Sequence, residues 1–240
     1  ESEAYLGIRR RSHDLRRSTC RTIDAKTGRA SGQKAPGERR CLVSNFLFKD
    51  RDGRTPLPPE LQKGLKPKHI QTVGELDEYE EQNIADGLLW LANQSDAGIT
   101  YNFWLKLHKK LFYNVWEWAG KVRAHELNNP DFHEPHRIWT SLRQLEGDLA
   151  YWLKEKIFTE QEIAARFHEQ IETIHPFTNG NGRFGRIIVE HLCVKNGWTV
   201  PTWGTALKDI PVKRRKQYIA ALDKARKTRS YKTLIAFMYS

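Results

Sequence analysis

His175-Pro176-Phe177-Thr178-Asn179-Gly180-Asn181-Gly182-Arg183-Phe184-Gly185-Arg186 is the stretch that decides how this chain is read. It lies between two segments of helical periodicity. Ile163, Phe167, Ile171 and Ile174 precede it at helical spacing, and Ile187, Ile188, Leu192 and Val194 follow it. Gly180 and Gly182 allow the chain to turn sharply between them. A Gly-Asn-Gly turn that opens a helix can aim several backbone N–H groups at one point. Such a nest, with a helix N-terminus behind it, suits a phosphate. Arg183 and Arg186 share a helix face, and their guanidinium forks match phosphate oxygens. His175, one loop away, can take a proton near neutral pH. These residues describe a polyphosphate cradle with a base beside it, the layout of phosphoryl or nucleotidyl transfer.

Outward from this stretch the pattern is helical almost throughout. Upstream, Thr159-Glu160-Gln161-Glu162 reads as a capping box that starts the preceding helix. A helix over about 137–156 carries Leu142, Leu145, Leu149, Trp152 and Leu153 on one face. Helices over about 75–93 and 100–114 come earlier, the second with Thr100 as N-cap. His108 in that helix reads as a core histidine beside Trp116, and His168 as mainly structural. Residues 121–135 are short-patterned and irregular, with a turn at Asn128-Asn129-Pro130. His125, His133 and His136 match no zinc spacing and read as loop histidines. Downstream, Asn196-Gly197 stops the helix. Trp203 either stacks on a base or closes the core. A basic helix over about 208–227 carries Lys213, Arg214, Arg215 and Lys216 as a solvated face, with Tyr218, Ile219 and Leu222 turned inward. A last short helix spans about 231–239. The fold class is all-α.

The chain has 240 residues, enough for one domain with its own core. The formal net charge of +11 permits an anionic partner without requiring one. Cys20, Cys41 and Cys193 are odd in number and lack metal spacing, which fits a reducing cytoplasm better than a disulfide framework. No apolar run is long enough to span a bilayer, so no membrane partner is expected. Residues 1–48 carry Arg9-Arg10-Arg11, Arg16-Arg17 and Arg39-Arg40 without a sustained period. They read as a basic, disordered extension in preference to a nucleic-acid-binding arm. The domain proper spans 49–240: a lead-in over about 49–74, a core over about 75–204 and C-terminal helices over about 205–240.

The central stretch resembles the Fic (filamentation induced by cAMP)/death-on-curing motif, H-x-F-x-[D/E]-G-N-G-R-x-x-R, matching every fixed position except Asn179. Val115-Trp116-Glu117-Trp118-Ala119-Gly120-Lys121-Val122-Arg123 is similar to the family's WAGKxR segment. From about residue 55 to 239 the chain is most similar to a bacterial subgroup called mobile mystery protein B. The resemblance implies a Fic-type helical bundle with a small β-hairpin flap over 121–135 that holds a target peptide by strand addition.

It also implies a protein adenylyltransferase, toxin-like, that moves AMP from ATP to a Ser, Thr or Tyr hydroxyl of a target protein. By position, His175 is the catalytic base and Phe177 anchors the loop. Gly180, Asn181, Gly182, Arg183 and Arg186 bind the phosphates. Asn179 takes the place of the carboxylate that holds Mg²⁺ or Mn²⁺, so the ion is expected to be weakly held. Lys121, Arg123 and His136 become candidates for docking the target at the flap. The inhibitory pattern [S/T]-x-x-x-E-[G/N] is not found, since Glu80-Glu81-Gln82-Asn83 breaks its spacing. The expectation is either no internal inhibition or restraint by a separate antitoxin-like partner. The alternatives are a weakened nucleotide-binding module, transfer of another phosphate-containing group and, more distantly, a basic nucleic-acid-binding protein.

Overall fold

The structure is a computed structural model, which describes residues 56–57, 59–95 and 99–240. The basic extension over 1–48 and the start of the lead-in lie outside the described residues. Eight α-helices run through the described part: α1 (Pro59–Gln62), α2 (Val73–Ala92), α3 (Tyr101–Phe112), α4 (Ile138–Glu155), α5 (Glu160–Ile174), α6 (Asn181–Asn196), α7 (Pro211–Thr228) and α8 (Lys232–Met238). The all-α expectation holds.

The helix starts follow local chemistry. Thr159 Oγ1 accepts from Glu162 N, and Thr100 Oγ1 from Phe103 N, as the capping pattern requires. Helix α2 begins two residues earlier than its apolar periodicity predicts. Thr72 Oγ1 accepts from Glu75 N while Glu75 Oε2 accepts from Thr72 N, a reciprocal capping box.

The α5–α6 pair forms the middle of the molecule. Helix α5 packs on α4 and α6, α6 on α3, α3 on α2, and α7 and α8 close the far side against α5. Trp104, Phe167, Phe177 and Phe184 are fully buried where these helices meet. Trp203 is part of this core, its Nε1 donating to Glu190 Oε1 at 2.7 Å, so it closes the core and does not wait for a base. His168 is buried and bonded to the Tyr218 hydroxyl at 2.8 Å, in line with a structural role.

The flap departs from expectation. Residues 121–134 form no β-hairpin; their one bridge pairs Val122 with Phe177 of the motif loop. The backbone groups that a hairpin would pair across two strands are satisfied elsewhere. Arg123 N donates to Pro176 O at 2.9 Å and His133 N to Thr173 O at 3.1 Å. The Arg123 guanidinium donates to the carbonyls of His175, His125 and His133. One buried arginine therefore replaces a strand ladder.

Candidate active site

Helix α5 ends at His175 in the left-handed region (φ 48°, ψ 60°), where its N–H still reaches Ile171 O at 3.0 Å. A non-glycine residue held there is strained, and such positions concentrate at working sites. The turn throws the imidazole to one side of the helix end. Its Nδ1 lies 3.1 Å from Glu172 O, which can only accept, so Nδ1 carries the proton and Nε2 keeps a free lone pair. The Phe132 ring lies parallel on the imidazole, with centroids 3.7 Å apart and planes 10° apart. Burial above all, with Arg123 and Arg226 adding repulsion, pulls the imidazolium down to about 4. His175 is therefore a neutral, oriented base at physiological pH.

The motif loop is locked from two sides. Asn181 receives Phe177 N on Oδ1 at 2.9 Å and returns Nδ2 to Phe177 O at 2.8 Å. Its side chain closes the loop, leaving its backbone N–H for the helix start. Below, His108 stacks on Phe177 with centroids 3.5 Å apart. Its Nδ1 accepts from Gly120 N at 2.9 Å, so Nε2 carries the proton and donates to Asn179 O at 3.1 Å. Burial holds this imidazole neutral, down at about 3. His108 is a core histidine as expected, but its work is to hold the loop that carries Asn179. Its spacing along α3 gave no sign of that partner.

Gly180 sits at φ 76°, and a Cβ there would meet the Phe112 ring at 2.8 Å. The first intrahelical bond of α6 runs from Phe184 N to Gly180 O at 2.9 Å. The amides of Asn181, Gly182 and Arg183 come before that ladder and point out of the helix end. Arg183 is pinned by Glu80 of α2, with Nη1 to Oε2 at 2.6 Å, and Glu80 Oε1 also accepts from Trp116 Nε1 at 2.7 Å. Arg186 lies beside the ring of Tyr218. Glu172 is tucked against α6 so closely that a Cβ on Gly185 would fall 2.3 Å from its Oε1. Burial raises the Glu172 carboxyl to about 7, although Arg186 and Arg226 oppose the shift.

A cavity of about 620 Å³ opens over these groups. Its floor is the loop from Thr178 to Arg183 with His175 and Glu172; Leu127, Asn128, Asn129 and Phe132 of the flap form one edge. The opposite wall is α7, through Arg215, Tyr218, Ile219, Leu222, Asp223 and Arg226. Arg215 is exposed, as the sequence reading has it, and lines this cavity; the correction falls on Arg214, which is buried with Nε donating to Trp203 O at 2.8 Å, and on Ile219, which is 45% exposed and not turned inward. Arg226 joins the parts: Nε donates to Thr173 Oγ1 at 2.9 Å, and Nη1 pairs with Asp131 at 3.3 Å and Asp223 at 3.0 Å. The structure thus brings together His175, Asn179, Gly180, Asn181, Gly182, Arg183 and Arg186. It does not bring Lys121, Arg123 or His136 to the cavity wall. Arg123 is 4% exposed and braces the flap from inside, and His136 faces solvent near Glu134.

A neutral imidazole beside the open end of a helix, with arginines around it, can take up a proton next to a bound phosphate ester. Residues 98–193 match the Fic/DOC family model. The match runs from just before α3 through the flap, α4, α5 and the motif loop into α6. The chain is similar to the protein adenylyltransferase VbhT of Bartonella schoenbuchensis, 31% identical over 100 residues, which are 40% of this chain and 21% of that protein. It is similar to the protein adenylyltransferase fic-1 of Caenorhabditis briggsae, 29% identical over 125 residues, half of this chain and 23% of that protein. This chain thus spans about a fifth of the length of such relatives. Among solved structures, the BepC protein of Bartonella tribocorum with bound AMPPNP superposes with a TM-score of 0.56 at 20% identity, covering 74% of this chain and 94% of that one. Fic-1 of C. elegans superposes with the same score over 74% of this chain and 51% of that one. Among the described residues no helix is long and apolar enough to cross a membrane.

Proposed function

We propose that this protein is a protein adenylyltransferase that transfers AMP from ATP to a Ser, Thr or Tyr hydroxyl of a target protein. One observation carries the reading: the Glu172 carbonyl fixes His175 with Nε2 unprotonated, at the edge of a cavity whose floor is the N-terminus of α6. The target hydroxyl gives its proton to Nε2 as its oxygen bonds to the α-phosphorus. The bond from that phosphorus to the bridging oxygen breaks, and pyrophosphate leaves. The amides of Asn181, Gly182 and Arg183 and the two motif arginines hold the phosphates in line; their contribution is positioning and charge. The names of the similar proteins support the same reaction.

A divalent ion held by the protein does not fit these residues. Mg²⁺ and Mn²⁺ take hard, charged oxygen donors, and the motif position offers a neutral amide whose oxygen is already bonded to Gly180 N at 2.7 Å. Among the described residues no group of three or more His, Cys, Asp or Glu side chains is placed to hold a metal. Any Mg²⁺ or Mn²⁺ therefore arrives as the counterion of the triphosphate. A cytoplasmic site of action and restraint by an antitoxin-like protein belong to this reading and rest on the family resemblance.

The test is label transfer from α-labelled ATP to proteins of a host lysate. The purified wild type is expected to label at least one protein, and His175→Ala none. No label with any variant would overturn AMP transfer.

A further inference from the structure

We infer that this site neutralises the phosphates with its own side chains: the Asn179 amide faces them as a donor, and Arg215 of α7 supplies the cationic charge from the opposite wall, so that nucleotide binds without a divalent ion. The inference rests on the nucleotide reading above.

The first observation is the orientation of Asn179. A carboxylate at this position has two oxygens. One can cap Gly180 N while the other faces a cation. An amide has one oxygen, and here it accepts from Gly180 N at 2.7 Å. The other end of the amide is Nδ2, a donor. Asn179 is exposed and lines the cavity. A donor at that position repels a cation and bonds an anion. The loop is held in this state from behind, because Asn179 O is bonded to His108 Nε2.

The second observation is the charge of the cavity. Four arginines line it (Arg183, Arg186, Arg215 and Arg226) against two carboxyls, Glu172 and Asp223. Asp223 is paired with Arg226 at 3.0 Å. Glu172 is 7% exposed and packed against the α6 backbone, with Oε1 lacking a hydrogen-bond partner. Arg183 shares its charge with Glu80. Arg215 is exposed on α7, across the cavity from the open amides of α6. A triphosphate entering the cavity therefore meets backbone donors on one side and a guanidinium on the other. An arginine can replace an ion here because it carries fixed charge and several donors in a plane. It also removes the need for an acidic ligand set.

Binding of a fluorescent ATP analogue to the purified full chain, in EDTA and in Mg²⁺ at matched ionic strength, tests this independently of transfer. Wild-type affinity is expected to agree between the two within about twofold, because no protein ligand depends on the ion. Arg215→Ala is expected to weaken binding about tenfold, the loss of one charge-assisted contact, with Arg215→Lys in between. Asn179→Asp is expected to weaken binding about tenfold in EDTA and to recover in Mg²⁺, since it restores a charged oxygen donor. A wild type that loses tenfold or more in EDTA overturns the inference, as does Arg215→Ala binding like the wild type. No binding by any folded variant in either condition would instead overturn the nucleotide reading. Binding without label transfer would leave this inference standing and remove only the AMP-transfer reading.

Discussion

The α6 wall of the cavity presents backbone, and the α7 wall presents side chains. On α6 the useful groups are the amides of Asn181, Gly182 and Arg183, whose direction is set by Gly180 at φ 76° and by the Asn181 bonds to Phe177. On α7 they are Arg215, Tyr218 and Arg226, spaced so that one helix face meets the cavity. Backbone donors allow few sequences, because each turn residue must satisfy a dihedral angle. A side-chain wall allows many, because any helix with a basic face would serve. The first wall therefore leaves a motif and the second leaves only a charge run.

Breaking the α6 wall should cost most. His175→Ala removes the base at its edge, and label transfer is expected to fall by about 10²–10⁴-fold with the fold intact by circular dichroism. Gly180→Ala forces a Cβ to 2.8 Å from the Phe112 ring at a positive φ. It is expected to lower stability by about 1–3 kcal/mol in thermal melts and to weaken nucleotide binding together with it. Removing a group from the α7 wall should cost less. Tyr218→Phe loses the 2.8 Å bond to His168 and is expected to cost about 1 kcal/mol.

The pH response sharpens the comparison on the flap side. Burial lowers the His175 imidazolium to about 4, so the free base persists as pH falls through 6.5 and is lost only near 4. The acid limb of kcat/KM is therefore expected near pH 4, and Phe132→Ala, which uncovers the ring, is expected to move it upward. Stability has its own profile. His108 and His168 are lowered to about 3, so their contribution is full above 6.5 and is lost as pH falls from there toward 3. Glu172 and Glu190 are raised to about 7, so theirs is full below 4.5 and is lost as pH rises from there through 7. The two effects oppose between 4.5 and 6.5. Because His175 adds a third histidine loss to the two glutamate gains, melting temperature is expected to fall modestly as pH drops across that window and faster below pH 4.5, where the histidine loss alone remains.

How much was legible differs from residue to residue. Thr100 and Thr159 announced helix starts because a cap is a bond across three residues. The Thr72–Glu75 box obeys the same rule, but the apolar pattern that marks the helix begins two residues after its start. The flap was legible as an irregular segment. Its lack of strands was not, because Arg123 takes three carbonyls that lie far apart in sequence or on the same loop. Arg123 therefore looked like a docking residue and is an internal brace. In the sequence Glu80 only breaks a spacing, yet it holds Arg183 across 103 positions.

By itself the sequence determined the all-α frame, the turn at Gly180 and the place of His175 beside it, because each is written in local spacing and residue type. Only the tertiary structure decided the tautomer of His175, the bond of Asn179 Oδ1 to Gly180 N, the pairing of Arg183 with Glu80 and the place of Arg215 in the cavity wall. Those depend on which distant backbone carbonyl, carboxylate or helix face comes within hydrogen-bond reach, and a linear pattern carries no such distance.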